Sequence, residues 1–293
     1  MQDINQSICE NLNNFHMAGI IPVSGHDVDN SPMPWHRALT QIGENLLAVE
    51  RSVLECNYAG CETIWIICNE DIQPLIKHRI GDYVTCFESL ASSRYVPFPK
   101  TRVEQVPIFY VPIPPRQRDK RDSLAWTILH GANAAFVTSA KISKWMVPNK
   151  YYVSFPYGLY DPAVAKEAKV LYPTQKNVFI DHGGKTIADG TYTGFTFTPQ
   201  GFKKIRKKMK EDCSGADYSK DLKSRWSSRN FSLDKFYNYD NIENVEKVHI
   251  HSYASCDNWT NYRKFLSLQD TLGLDHYEIQ NLNGFLRKKI IDE

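Results

Sequence analysis

Apolar and polar positions along this chain fall into blocks that switch between two periods. "IIPVS", Ile20 to Ser24, is a short apolar run that meets Gly25, the pattern of a buried strand entering a tight loop. From Asn45 onward Leu46, Leu47, Val49, Val53 and Leu54 recur near helical spacing, and Ala59-Gly60 supplies a stop. An amphipathic helix is expected there. "TIWIICN", Thr63 to Asn69, is dense in β-branched and aromatic residues and predicts a second buried strand. Strand, helix and strand in this order make a βαβ unit, which requires parallel pairing and a right-handed crossover.

The alternation then repeats. A short helix is expected over Asp71 to Ile80, a strand over Val106 to Ile113, a helix over Ser123 to Ser139 and a strand over Lys150 to Gly158. Such alternation predicts an α/β fold, a doubly wound and mostly parallel sheet. Asn177 to Phe197 reads instead as a β-hairpin, two β-rich stretches around Gly183-Gly184. A helix from Pro199 to about Glu211 follows, its far face loaded with lysine. Cys213 to Asn241 is polar, aromatic and weakly periodic, while Lys247 to Ala254 and Asn258 to Leu272 suit a late strand and a C-terminal helix. The expected division is an α/β domain over 1–212, a polar insertion or loop over 213–246, and a return over 247–293 that completes the same domain.

Composition narrows the class without naming a partner. The chain has 293 residues, 42% hydrophobic and 23% charged, which is ordinary for a globular protein. Lys plus Arg is 35 against 33 for Asp plus Glu, a net charge of +2, so contact with nucleic acid or membrane would have to come from a local patch. The 7 cysteines form no CxxC pair, which fits free thiols in a reducing compartment better than a disulfide or zinc framework. "MQDINQSICENLNNF" lacks the charged and apolar regions of a signal peptide, and no apolar run approaches the ~18 residues of a membrane span. A soluble, cytoplasmic protein is expected (host cytoplasm if viral).

Four segments, in this order, resemble the sugar-1-phosphate nucleotidyltransferase superfamily, the nucleotide-sugar pyrophosphorylases with a GT-A-like fold. In "PWHRALTQIGENLLAVERSVLECNYAGCETIWIIC", Ile42-Gly43 falls on the family's Val/Ile-Gly and Ala59-Gly60-Cys61 on its Ala-Gly-Ile. Counting back from Gly43 puts Arg37 on the lysine of the family's Pro-Lys pair. "RDSLAWTILHGANAAF" stands where the family has a nucleoside-binding loop and helix, with Asp122 and Ser123 in the loop. "YTGFTFTPQGF" puts Gly194 on the glycine near the sugar, and Lys185 upstream is the candidate for the sugar-phosphate lysine. "CDNWTNYRKFLSL" places Asp257 on the second metal-binding aspartate. The chain also departs from the pattern: "GHDVDNSPMP" is a shorter loop without Arg, and "SFPYG" replaces the Gly-Asp of the first metal ligand, with no acid before Asp161. A looser likeness is to divergent members carried by large tailed bacteriophages.

The resemblance implies nucleotidyl transfer, in which a sugar phosphate oxygen attacks the α-phosphorus of a nucleoside triphosphate and expels pyrophosphate. That chemistry needs positioning and neutralised phosphate charge, usually with Mg²⁺. Ser24 and Gly25 offer a turn with backbone N–H groups, and His26, His36 and Arg37 are the cations of the loop. Arg37 is charged at all working pH and grips phosphate bidentately, whereas His36 would need a raised pKa. A hydrogen bond to loop backbone is the alternative duty for either histidine, and packing that for Trp35.

Tyr157 and Gly158 end a strand where open α/β sheets bind ligands, and contact with the sugar is expected there. Asp257 is the Mg²⁺ candidate, with a helix cap as its alternative role. His249 and His251 alternate on one strand, but no third ligand stands at telling spacing. Two basic runs, Arg116, Arg118, Lys120 and Arg121, and Lys203 to Lys210, read as solvated faces unless a polyanion meets them. The leading expectation is therefore a nucleotidyltransferase acting on a nucleoside triphosphate and a sugar phosphate. The rivals are a GT-A glycosyltransferase using a nucleotide sugar, with modified phage DNA as acceptor, and a binding protein that has lost the chemistry.

Overall fold

A computed structural model describes residues 15–24, 33–85, 105–115, 123–142, 146–214, 231–272 and 274. Its centre is an eight-stranded sheet. In chain order the strands are β1 (Met17–Pro22), β4 (Thr63–Asn69), β5 (Tyr83–Thr85), β6 (Gln105–Ile113), β7 (Lys150–Val153), β9 (Asn177–Asp181), β10 (Phe195–Phe197) and β11 (Val245–His249). Two short pairs stand apart, β2 (Gln41–Gly43) with β3 (Leu46–Leu47), and β8 (Gly158–Leu159) with β12 (Ala254–Ser255). The spatial order is β11-β9-β10-β7-β1-β4-β6-β5. Neighbours β7, β1, β4 and β6 pair in parallel, as do β9 and β11; β10 runs antiparallel to β7 and β9, and β5 antiparallel to β6. This is the expected mostly parallel α/β sheet.

Strand β1 shows why the sheet sits centrally. All six of its residues are buried, so it cannot face water on either side, and its near-continuous apolar run is the mark of a parallel core strand. Ile20 packs with Trp65, Ile128 and Phe195 on one face, under α3 (Leu124–Ile142) and α5 (Pro199–Ser214). Ile21 packs with Val49, Val53 and Ile66 on the other, against α1 (Ala48–Ala59) and α2 (Gln73–Ile80). The remaining helices are α4 (Val164–Glu167), α6 (Leu233–Phe236), α7 (Trp259–Leu266) and α8 (Gln269–Leu272).

Three expectations are corrected by tertiary packing. Leu46 and Leu47 form β3 rather than the first turn of α1, which begins at Ala48. Helix α1 is not amphipathic in the folded protein: all of its residues except Tyr58 are buried. Its second face meets Ile42, Leu159, Cys256 and Phe265, so the C-terminal elements cover it. It does stop where the sequence says, with Gly60 in the left-handed region at φ 83°. The stretch around 213–246 is not wholly a polar loop, since Phe231, Leu233, Phe236 and Tyr237 enter the main core and the Tyr237 hydroxyl donates to the Ala125 carbonyl at 2.9 Å. Residues 215–230 lie outside the described residues.

The predicted hairpin also takes a longer route. Strands β9 and β10 are antiparallel neighbours, yet Gly183-Gly184 closes only a local bridge between His182 and Lys185. A 3-10 turn over Ile187–Asp189 then leads toward β10. Among the described residues no helix is long and apolar enough to cross a membrane, and Cys56, Cys61, Cys68 and Cys256 are free and buried.

Candidate active site

The C-terminal ends of the parallel strands share one edge of the sheet, and most of the singled-out residues arrive there. Past β1, the N–H groups of Val23 and Ser24 both donate to the Ile67 carbonyl, at 2.9 and 3.1 Å. The Ser24 hydroxyl donates to Asn69 Oδ1 at 2.8 Å. Ser24 thus spends both donors inside the protein, fixing the exit of β1 against the exit of β4. It does not hold its N–H out to a phosphate in this structure. Gly25 and His26 lie outside the described residues.

Beyond that loop a 3-10 turn, Arg37–Leu39, is capped by His36, whose Nδ1 accepts from the Ala38 N–H at 3.3 Å. Burial, with a second push from the Arg37 charge, lowers His36 to about 4, against an upward pull from Asp71. His36 is therefore neutral near pH 7, the raised pKa that phosphate binding would need is absent, and its visible work is the alternative duty, the cap. Arg37 is 7% exposed. It is the charge this turn carries, held close to low-dielectric surroundings where its field is strong.

Strand β7 leaves the sheet through Ser154-Phe155-Pro156-Tyr157 into β8. Tyr157 is fully buried and donates its hydroxyl to the Val23 carbonyl at 2.6 Å, tying the β7 exit to the β1 exit. Gly158 pairs with Ser255 across β8 and β12, and a Cβ there would lie 1.8 Å from the Tyr192 carbonyl oxygen. Only glycine lets these two backbones approach so closely. The Cys256 N–H donates to the Tyr157 carbonyl at 3.0 Å, which sets Asp257 beside the same exit.

Asp257 and Arg37 act on the same neighbours. Burial pushes the Tyr192 phenol up to about 12; the Asp257 carboxylate adds to that rise and Arg37 opposes it. Cys256, pushed up to about 12 by burial, feels Arg51, Asp257 and Arg37 in turn. The segments that carry Asp257 and Arg37 pack together, Trp35 meeting Trp259 and Tyr262 edge-on at 6.3 and 6.4 Å between ring centres. Asp257 Oδ1 accepts from Ser255 Oγ at 2.6 Å and from Asn261 Nδ2 at 2.7 Å. The cap of α7 is Asn258, not Asp257.

Among the described residues no group of three His, Cys, Asp or Glu side chains could hold a metal, and none donates a hydrogen bond to Asp257 Oδ2. One half-exposed carboxylate with a free oxygen suits a magnesium ion that takes its other ligands from water and substrate phosphates. It does not suit a protein-caged metal. His249 and His251 have rings 5.4 Å apart, but His249 Nδ1 is engaged with Asp181 Oδ2 at 3.0 Å.

The remaining candidates spread along the edge. Ser123 precedes α3 and caps it, its Oγ accepting from the Trp126 N–H at 3.3 Å; Asp122 lies outside the described residues, as do Arg116, Arg118, Lys120 and Arg121. Lys185 is exposed on the tight turn that follows β9. Gly194 opens β10, and its N–H donates to the Tyr160 hydroxyl at 2.9 Å.

Beneath this edge lies a cluster the sequence did not signal. Arg51 and Glu55 are completely buried, 2.9 Å apart on α1. Glu55 also accepts from Tyr152 and Tyr160 at 2.6 Å each and from Ser154 at 2.5 Å. Arg51 donates to the Phe155 carbonyl at 2.9 Å and lies 4.5 Å from the centre of the Tyr160 ring. An Arg and a Glu one turn apart on a helix normally mark a solvated pair. No local pattern separates this one, because Tyr152, Ser154 and Tyr160, which bury it, lie about a hundred residues further along the chain.

No family model matches the sequence, and no curated protein matches it. Solved structures do match by shape. A protein from Bacillus anthracis assigned as a glucose-1-phosphate thymidylyltransferase, in complex with sucrose, superposes with a TM-score of 0.56 at 8% identity, covering 90% of this chain and 98% of the other. A UDP-glucose pyrophosphorylase complexed with UDP-glucose gives 0.55 at 13%, covering 88% and 99%. A UTP-bound UGPase from Acinetobacter baumannii gives 0.50 at 12%, covering 95% and 99%. Such identities speak to architecture alone. The chain has the fold of the sugar-1-phosphate nucleotidyltransferases.

Proposed function

We propose that the chain is a nucleotidyltransferase that joins a nucleoside triphosphate to a sugar 1-phosphate, giving a nucleotide sugar and pyrophosphate. The observation that carries this reading is the packing of the segment that bears Arg37 on the segment that bears Asp257, where Trp35 meets Trp259 and Tyr262 edge-on at 6.3 and 6.4 Å between ring centres, at the C-terminal edge of a sheet with this fold. In the proposed arrangement the triphosphate lies over the exits of β1 and β4, with Arg37 forking its phosphate oxygens. Ser123, Asp122 and the start of α3 flank the nucleoside. The sugar phosphate lies toward β7, β10 and β9, with the backbone near Gly158 and Gly194 at its floor and Lys185 for its phosphate.

An oxygen of the sugar phosphate forms a bond to the α-phosphorus while the bond to the β-phosphate breaks and pyrophosphate leaves. The chain's part is to align these groups and offset their charge. Magnesium, held through Asp257 Oδ2 and the phosphates, would neutralise charge on the leaving group. Ser24, Tyr157 and His36 serve indirectly, fixing the strand exits and the turn that carries Arg37.

The test is to incubate the protein with each nucleoside triphosphate, Mg²⁺ and a panel of sugar 1-phosphates while following pyrophosphate. Release that depends on both substrates supports the reading. Nucleotide binding without release across the panel would replace it with a binding role.

A further inference from the structure

Helices α3 and α5 lie on one face of the sheet, and a groove of about 680 Å³ runs between them. It sits toward the edge opposite the candidate active site, since Tyr151 lies near the start of β7 and Pro199 follows the far end of β10. Its floor is apolar. Phe136 and Val137 are 44% and 39% exposed there, with Phe202 beside them. Its wall is cationic, made by Lys203, Arg206, Lys207 and Lys210 of α5. These positions are i, i+3, i+4 and i+7, one stripe of the helix.

The neighbouring lysines of α5 are already engaged: Lys204 pairs with Glu243, and Lys208 donates to the Lys235 carbonyl. On the groove side Lys207 reaches Glu211 at 3.8 Å, but Lys203, Arg206 and Lys210 meet no carboxylate among the described residues. Arg206 instead lies over the Phe202 ring, 6.0 Å from its centre. Among the described residues, unpaired positive charge and exposed aromatic surface therefore share one recess. The sequence that follows α5 is itself net basic: 215–230 carries Lys220, Lys223, Arg225 and Arg229 against Asp217 and Asp221.

We propose that this groove binds single-stranded nucleic acid, with successive phosphates on Lys203, Arg206 and Lys210 and a base against Phe136. A cationic wall that tracks a backbone beside an aromatic face on which bases stack is the chemistry such a ligand requires. The cations recur at about one helical turn, ~5.4 Å, so they present a row rather than a point. The recess selects the form of the polyanion. A duplex keeps its bases in their own stack, whereas an unpaired strand can lay a base on the exposed Phe136 ring.

Fluorescence anisotropy of the full chain with a labelled oligonucleotide of about 8 nucleotides tests this. Three or four phosphate contacts predict an affinity loss of about 20- to 50-fold between about 50 and 200 mM salt. The R206A/K210A double variant should weaken binding by at least about tenfold and flatten that salt dependence. Phe136→Ala should weaken binding about tenfold while leaving the salt slope unchanged. Lys204→Ala, on the acid-paired flank, should stay within about twofold. These side chains are exposed, so an unchanged melting temperature separates lost binding from lost folding. No binding at low salt would overturn the proposal. So would binding indifferent to both R206A/K210A and Phe136→Ala, or tighter binding of poly-glutamate or anionic vesicles than of the oligonucleotide.

Discussion

A Cβ on Gly194 would lie 2.3 Å from Oε1 of Glu55 and 2.7 Å from the Tyr152 hydroxyl. The glycine that opens β10 is thus dictated by a carboxylate buried on α1. Glu55 cannot swing aside, because hydrogen bonds from Arg51, Ser154, Tyr152 and Tyr160 hold both of its oxygens. Tyr160 closes the circuit by accepting from the Gly194 N–H. Helix α1, the β7 exit and the start of β10 are locked together at the floor of the candidate site.

Gly194→Ala should therefore behave as an overpacking change in a region that cannot relax. We expect a loss of about 1–3 kcal/mol in chemical denaturation. A stability equal to that of the unaltered protein would mean that the floor yields.

The ion pair beneath predicts a contrast between single and double changes. Glu55→Ala leaves the Arg51 guanidinium buried without its counter-charge and should cost about 3–5 kcal/mol. Replacing both residues with apolar ones, Arg51→Met with Glu55→Leu, should cost much less, because the desolvation of two charges is removed as well. Urea melts of the three proteins read the difference directly.

His36 gives the fold an acid-sensitive cap. Its folded-state value of about 4 lies below the ordinary 6.5, so the unfolded chain binds the proton more readily. The stability tied to neutral His36 is complete above about pH 6.5 and is lost as pH falls from there toward 4, with an upper limit of about 3 kcal/mol. His36→Gln should flatten this part of the stability–pH curve. An unchanged slope would assign the acid sensitivity to another group.

How much of this was legible in the sequence depends on the kind of signal. Strand β4 lies where "TIWIICN" put it, because β-branched and aromatic residues in a run suit only a buried pleat. The stop at Gly60 was equally plain, since the left-handed region favours glycine. Leu46 and Leu47 misled because their helical spacing was local, while pairing with Gln41 and Gly43 took precedence. The burial of Arg51 and Glu55 was invisible because it is created by Tyr152, Ser154 and Tyr160, which lie about a hundred residues away in the chain. At the site, Arg37 and Asp257 are candidates drawn from the family resemblance. The inward duties of Ser24, Tyr157 and Gly158 depend on backbone partners that no local pattern encodes.

Arg37 is where the proposed chemistry is most exposed to test. Arg37→Ala should lower pyrophosphate release about 10²- to 10³-fold, the cost of losing one preorganised partner of transition-state charge. Arg37→Lys should recover part of it, since the charge remains but the bidentate fork does not.

The most direct measurement is a crystal structure of the protein with a nucleoside triphosphate and Mg²⁺. The account predicts phosphate density at the exits of β1 and β4, in contact with Arg37, and a metal ion bound through Asp257. Phosphates lodged elsewhere on the molecule, with Arg37 turned away from them, would contradict it.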